Sequence, residues 1–372
     1  MKRYKNWIYL LAALVLAACS DDSEQTVTPI DPVDPVEPVI PESPLKPTAI
    51  TRTLSAGDVT ADATGEFAPI QIFLMSGESD NAITHKTEGL FIFDTSTGWT
   101  STIGLKDTYN CVYGFSPSTS ASGSISLPEG NTSFKDGAVL TLGNISPVTG
   151  DDVCIIVGLR PGETTEAVST IPDRGVFYIE KKTNNYVSLL LDHLFARIDF
   201  KVKIGPEYST IRSIKIKKIE LLTSVLLTGA TVTLTPNASD TDPLSAIFTT
   251  TAIAEGADKT SGILYDYTTD TDASHSEGWE LTTSGITIPG FFAPSGSTPK
   301  VGDNLFIRWT YDIYNIKGTR VRVREDCVAE NRLPAFTIAR GEKTTVNLTV
   351  EPTYLYVLSD DDLDNPTVKI DN

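Results

Sequence analysis

Apolar residues in this chain recur mostly in short runs with a period of two. In the clearest run, Ile198, Phe200, Val202 and Ile204 alternate with Arg197, Asp199, Lys201 and Lys203. Successive side chains of an extended strand point to opposite faces, so this pattern predicts a half-buried strand of an antiparallel sheet. Further runs rich in Val, Ile, Thr, Tyr and Phe lie at 70–74, 109–115, 153–157 and 346–350, each bounded by Gly, Pro, Asn, Asp or Ser. No long stretch carries the 3.6-residue period of a helix. Many short strands at this spacing predict an all-β chain built from antiparallel β-sandwiches.

The N-terminus departs from that pattern. Lys2, Arg3 and Lys5 precede an apolar run from Trp7 to Leu16, which closes on Ala17, Ala18 and Cys19. Positive charge, a short apolar core and small residues mark a secretory signal rather than a membrane span. The cysteine at the cleavage position resembles a bacterial lipoprotein lipobox, in which Cys19 would be acylated and become the mature N-terminus. Residues 20–24 are acidic, similar to the signal that sends some Bacteroidales lipoproteins to the outer face of the outer membrane. Pro29, Pro32, Pro35 and Pro38 then recur at near-regular spacing, which favours an extended spacer.

The expected organisation is a signal peptide at 1–18, an acidic Pro-rich tether at 19–47, and two tandem sandwiches at 48–184 and 185–372. The length of 372 residues suits two domains after the leader is removed. No linker marks the break, so it is placed by pattern near Asn184, before the run Tyr186 to His193.

Charge and chemistry narrow the picture. A formal net charge of -18 argues against nucleic acid or an anionic membrane surface as partner. Beyond Cys19 there are Cys111, Cys154 and Cys327, with no CxxC spacing. Cys111 and Cys154 lie in two strand-like runs and either form one disulfide or fill core positions as buried thiols. His85, His193 and His275 are far apart and carry no HExxH spacing, and no GxSxG elbow or phosphate-cradling loop is present. His193 reads as a packed or hydrogen-bonded residue. Asp270 with Asp272, and the run 360–364, read as solvated acidic turns rather than calcium loops. Trp99, Trp279 and Trp309 are expected in the core. The chain is therefore expected to be no enzyme, with no catalytic residue, metal or cofactor.

Several segments in order resemble the fimbrillin family, the pilus subunits of Bacteroidales. They are the lipobox and tether, Ile50 to Thr53, Tyr109 to Pro117, Leu191 to Phe200 and Arg340 to Val350. The resemblance implies transthyretin-like sandwiches and a structural role in a cell-surface fimbrium, supporting adhesion. It also implies lipidation at Cys19, cleavage by an Arg-specific protease between Arg52 and Thr53, and loss of the first strand. A strand from another subunit then fills the vacated groove. Donor candidates are Tyr354 to Leu358 and Thr367 to Ile370, although the acidic run at 360–364 interrupts the terminal pattern. Implied partners are other fimbrial subunits, the outer membrane through lipid on Cys19 before cleavage, and a host or bacterial receptor.

Other readings share the leader and the sandwiches. One is a surface glycan-binding lipoprotein of a nutrient-uptake system, which needs coplanar exposed aromatics. Another is a fimbrial anchor that keeps its lipid. A hydrolase would need a carboxylate pair in a cleft. Fold alone cannot choose among them.

Overall fold

The chain is all-β, as its period-two pattern predicts, with strands joined by turns and single-turn helices. The computed structural model describes residues 44–52, 59–60, 69–118, 121–145, 152–162, 171–223, 225–236, 242–254, 260–294, 305–316, 320–333, 338–352 and 366–371. Cys19, Thr53, Tyr354 to Leu358 and the acidic run 360–364 lie outside the described residues.

The largest sheet has ten strands. They are β1 (Leu45–Arg52), β2 (Val59–Thr60), β3 (Ile70–Gly77), β4 (His85–Asp94), β5 (Gly98–Ser101), β6 (Tyr109–Ser116), β9 (Cys154–Gly162), β10 (Asp173–Arg174), β11 (Tyr178–Glu180) and β12 (Asn185–His193). Their order is β2-β1-β12-β9-β6-β3-β4-β5, with β10 paired to β9 and β11 to β6. One face packs on a four-stranded sheet of β7 (Ser122–Ser126), β8 (Ala138–Gly143), β15 (Val225–Leu234) and β16 (Leu244–Ala252). Phe73, Tyr113, Phe115 and Val157 meet Leu140, Leu142, Val232 and Leu234 between them.

A second sandwich follows. One layer orders β19 (Ile286–Pro294), β13 (Phe195–Ile204), β22 (Lys343–Pro352) and β23 (Pro366–Asp371). The other orders β17 (Thr260–Asp266), β14 (Arg212–Thr223), β20 (Leu305–Asn315) and β21 (Val321–Arg332), with β18 (Trp279–Glu280) paired to β14. Its core joins Ile198, Phe200, Val202 and Leu348 to Ile219, Leu221, Ile307, Trp309 and Ile313. The alternation read along 197–204 is the register seen here.

The expected division at Asn184 falls between β11 and β12, and strand pairing crosses it. β12 pairs with β9 along its length, and β15 pairs with β8. The physical reason lies in two nearly unbroken extended runs. β12 passes through Leu194 directly into β13, and β14 leads to β15 across one residue. Each run serves one sheet and then the other. Leu194 and Phe195, both fully buried, mark the first passage, and Phe195 stacks on Phe248 with ring centroids 5.8 Å apart.

The tether also ends earlier than its prolines suggest. Pro44 bridges to Gly104, and β1 begins at Leu45. Burial of Leu45 and an edge location, where proline is tolerated, override the bias of Pro44 and Pro47 toward an isolated spacer.

Candidate functional site

The ten-stranded sheet has a second apolar face, turned away from β7, β8, β15 and β16. It carries Ile70, Ile72, Leu74, Val112, Ile156, Leu189 and Leu191. A flat sheet would leave that face in water. Here the two ends of the sheet approach each other, and β1 meets the segment after β5. The Leu45 amide donates to the Ile103 carbonyl at 3.0 Å. Leu45, Pro47 and Ala49 are buried on alternate positions of β1, and Leu45 and Ala49 join the core with Phe91, Ile103 and Leu105. β1 thus closes this core along one side.

Its attachment is unlike that of its neighbours. β1 runs parallel to β12, in register from Leu45 opposite Asn185 to Thr51 opposite Leu191. A parallel pair cannot be joined by a tight hairpin, so the two partners are remote in sequence. On its other side, among the described residues, β1 is met at its two ends alone, by β2 at Thr51–Thr60 and Arg52–Val59 and by the Leu45–Ile103 hydrogen bond at its start. Its inward residues are also modest fillers. Ala49 has a single methyl group, and Pro47 has no N–H to give to a ladder. Leu45 is the large apolar anchor, and burying such a side chain is worth about 1.5–3 kcal/mol.

Arg52 is the last residue of β1. A cut on its C-terminal side would leave β1 held by non-covalent contacts: the β12 ladder, the short pairings at its two ends and its inward side chains. Removing β1 would unpair one edge of β12 and uncover an apolar groove lined by Val187, Leu189 and Leu191. An edge of this kind is completed by any extended segment that supplies backbone donors and acceptors with alternate apolar side chains.

The other expected residues fall as follows. The segment 367–370 lies in β23, which pairs antiparallel with β22 of its own chain from Asn347–Asp371 to Pro352–Pro366. Cys111 and Cys154 do not form the disulfide considered for them, and both are free and buried. Cys154 stands opposite Ser116 across β6 and β9, five positions along β6 from Cys111. The two also face different cores. Strand rise alone separates them by about 16 Å, far beyond disulfide reach.

Asp270 and Asp272 stand in tight turns. Asp270 accepts from the Asp272 amide at 2.9 Å and lies 2.7 Å from His275 Nδ1, and Asp272 accepts from the Ser274 amide at 2.9 Å. Their oxygens are engaged locally, as expected of solvated acidic turns. Of the tryptophans, Trp309 is fully buried. Trp99 and Trp279 are half-buried at the rims of cores rather than inside them. Trp279 sits between His275 and Tyr265, with centroids 4.7 and 5.5 Å away.

A polar cluster appears where β9 and β12 pair. His193 stands opposite Cys154. Its Nδ1 lies 3.5 Å from Cys154 Sγ and 2.5 Å from Asp152 Oδ2. Thiol, imidazole and carboxylate suggest a hydrolytic triad, but both partners face the same ring nitrogen. An imidazole that relays a proton needs one nitrogen for the nucleophile and the other for the acid. Burial, then the nearby Asp152 and Asp192 charges, pushes the Cys154 thiol well above its usual range, which opposes a nucleophilic thiolate. Beside this cluster, the fully buried Asp192 accepts from Arg174 at 2.8 Å and pairs with Arg340 at 2.7 Å, and both arginines also reach Asp242. Neither cluster was legible from the chain, because the His193–Cys154 register joins positions 39 residues apart.

No protein-family model matches this chain, and no curated protein matches it. Among solved structures it is similar to a candidate cell adhesion protein from Bacteroides ovatus, at 12% identity over 89% of this chain and 96% of that one, with a TM-score of 0.40. A fimbrial protein from Bacteroides vulgatus is 14% identical over 87% of this chain and 98% of that one, with a TM-score of 0.39. A candidate polysaccharide-binding protein from Bacteroides thetaiotaomicron is 8% identical over 83% of this chain and 91% of that one, with a TM-score of 0.33. These likenesses are distant, and no name passes from them to this chain.

Proposed function

We propose that this chain is a structural subunit of a cell-surface fimbrium, exported as a lipoprotein precursor through Cys19 to the outer membrane and supporting adhesion. Cleavage between Arg52 and Thr53 frees β1, and a strand from another subunit takes its place beside β12. The observation that carries this reading is the placement of β1. It closes an apolar core with one large side chain, Leu45, beside the smaller Pro47 and Ala49, and ends on the arginine at which it would be severed. The chain performs no catalysis on this reading, and its partners are other subunits together with a surface receptor.

The experiment is N-terminal sequencing of the protein in sheared surface filaments, alongside an Arg52→Ala variant. The expected result is a ladder of high-mass species starting at Thr53, abolished by Arg52→Ala. A monomer in the membrane fraction starting at acylated Cys19 would remove strand exchange and leave a lipid-retaining anchor or a glycan binder. The glycan-binding reading has the half-buried Tyr265, Trp279 and His275 group to draw on, although Tyr265 and Trp279 are tilted by 51° rather than coplanar, and a Trp279→Ala variant on a glycan array addresses it.

A further inference from the structure

Asp152, Cys154 and His193 play no part in strand exchange, yet they converge. Asp152 lies two residues before Cys154 in an extended run, so the two share a face. His193 stands directly across from Cys154 on β12. One potential ligand atom from each, Oδ2, Sγ and Nδ1, lies within 4.8 Å of the others. Cys154 and His193 are each 6% exposed, whereas the Asp152 side chain is 26% exposed and opens the cluster to solvent.

We propose that these three side chains form a binding site for a divalent transition-metal cation of the zinc class. The donor set of thiolate, imidazole and carboxylate is the one such ions select. The geometry is close to what is needed. Ordinary zinc–sulfur and zinc–nitrogen bonds at a tetrahedral angle place sulfur and nitrogen about 3.5 Å apart, and Sγ and Nδ1 are 3.5 Å apart here. Asp152 Oδ2, at 2.5 Å from Nδ1, would retreat by a little under about 1 Å to reach the tetrahedral edge. Of the three side chains, that of Asp152 is the one most exposed to solvent.

Charge supports the same conclusion. A buried thiolate beside a carboxylate is unfavourable alone, and a dication neutralises the pair, leaving cation, thiolate, carboxylate and neutral imidazole with no net charge. Asp192, the next carboxylate, is already compensated by Arg174 and Arg340. On binding, the Cys154 S–H bond breaks and its proton leaves to solvent. Nδ1 gives its lone pair to the ion while the ring proton resides on Nε2, and nothing is oxidised or reduced. Water completes the coordination from the Asp152 side.

The test is titration of the full chain carrying Cys19→Ser with Co2+, followed by Zn2+. A thiolate-to-cobalt charge-transfer band should appear in the near ultraviolet, saturate at one equivalent and be displaced by Zn2+. It should survive Cys111→Ser and Cys327→Ser, disappear with Cys154→Ser, and need at least about tenfold more metal with Asp152→Asn, as for loss of one ligand. Absence of the band, or a band that survives Cys154→Ser, would overturn the site. Should Cys154→Ser fail to fold by circular dichroism, Asp152→Asn decides, and unchanged affinity there overturns it too.

Discussion

Two parallel ladders stand out among the described residues, and they differ in side-chain filling and in how their second edge is covered. β13 pairs with β22 from Arg197–Lys343 to Ile204–Val350 and with β19 on its other side. Both edges of β13 are filled, and its inward residues are Ile198, Phe200, Val202 and Ile204. β1 pairs with β12 over a similar span, but among the described residues its other edge is met at its ends alone, by the Leu45–Ile103 hydrogen bond and by two residues of β2. Its inward residues are Leu45, Pro47 and Ala49. Backbone pairing is nearly equal in the two cases. The lesson is that near-equal backbone pairing can carry very unequal side-chain volume and second-edge cover, and on the proposed reading this difference is what lets β1 be exchanged while β13 stays.

Polar details reinforce the β13 ladder. Asp199 accepts from Arg197 Nε at 2.9 Å and from the Gly290 amide at 3.1 Å, and pairs with Lys343 at 2.8 Å. It sits where the β13–β19 register shifts between Ile198 and Phe200. Gly290 is required at this bulge, since a Cβ there would stand 1.4 Å from the Ile198 carbonyl oxygen. One carboxylate therefore pins β19, β13 and β22 together.

The contrast can be broken from its strong side first. Phe200→Ala removes a large buried ring that stacks on Phe291 with centroids 6.1 Å apart and is expected to cost about 3–5 kcal/mol, read by urea unfolding. A loss below about 1 kcal/mol would mean that β13 is no better anchored than β1.

Asp199→Asn comes next, at about 2 kcal/mol near neutral pH. Burial raises the Asp199 carboxyl, but hydrogen bonds from Lys343 and Arg197 outweigh it and hold the group below its usual 3.8. A carboxyl depressed in the folded state adds stability above its unfolded value and loses it as pH falls through the folded value. The gap between wild type and Asp199→Asn should therefore be full near pH 7 and shrink below about pH 4. A gap that is constant from about pH 7 to about pH 3 would remove the charge from the explanation.

The smallest effect is expected at the weak ladder. Pro47→Val places a β-branched side chain at a buried inward position, and should strengthen the seating of β1 by about 1 kcal/mol or less. Its signature is slower release of β1 after cleavage, measured by native mass spectrometry, with little change in global unfolding.

Much of this architecture was readable along the chain because it is local. The alternation at 197–204 announces β13, and the apolar runs at 70–74, 109–115 and 346–350 fall inside β3, β6 and β22. What was not readable depends on pairing between distant segments. Leu45 to Pro47 read as tether, because proline spacing dominates that stretch until β12 is known to lie beside it. β12 itself read as the opening of the second half, because nothing in Tyr186 to His193 says that its partner is β9. The disulfide reading failed for the same reason, since only the sheet shows that Cys111 and Cys154 face different cores. Cys154 and His193 read along the chain as packing residues, and nothing there joins them to each other or to Asp152 until register brings the three together.

The most direct test is amide hydrogen exchange on the uncleaved chain, comparing peptides that cover Leu45–Arg52 and Phe195–Ile204. Local opening is expected to expose β1 well before global unfolding, while β13 exchanges only with the whole molecule. Protection of β1 equal to that of β13 would contradict the claim that β1 is a separable strand.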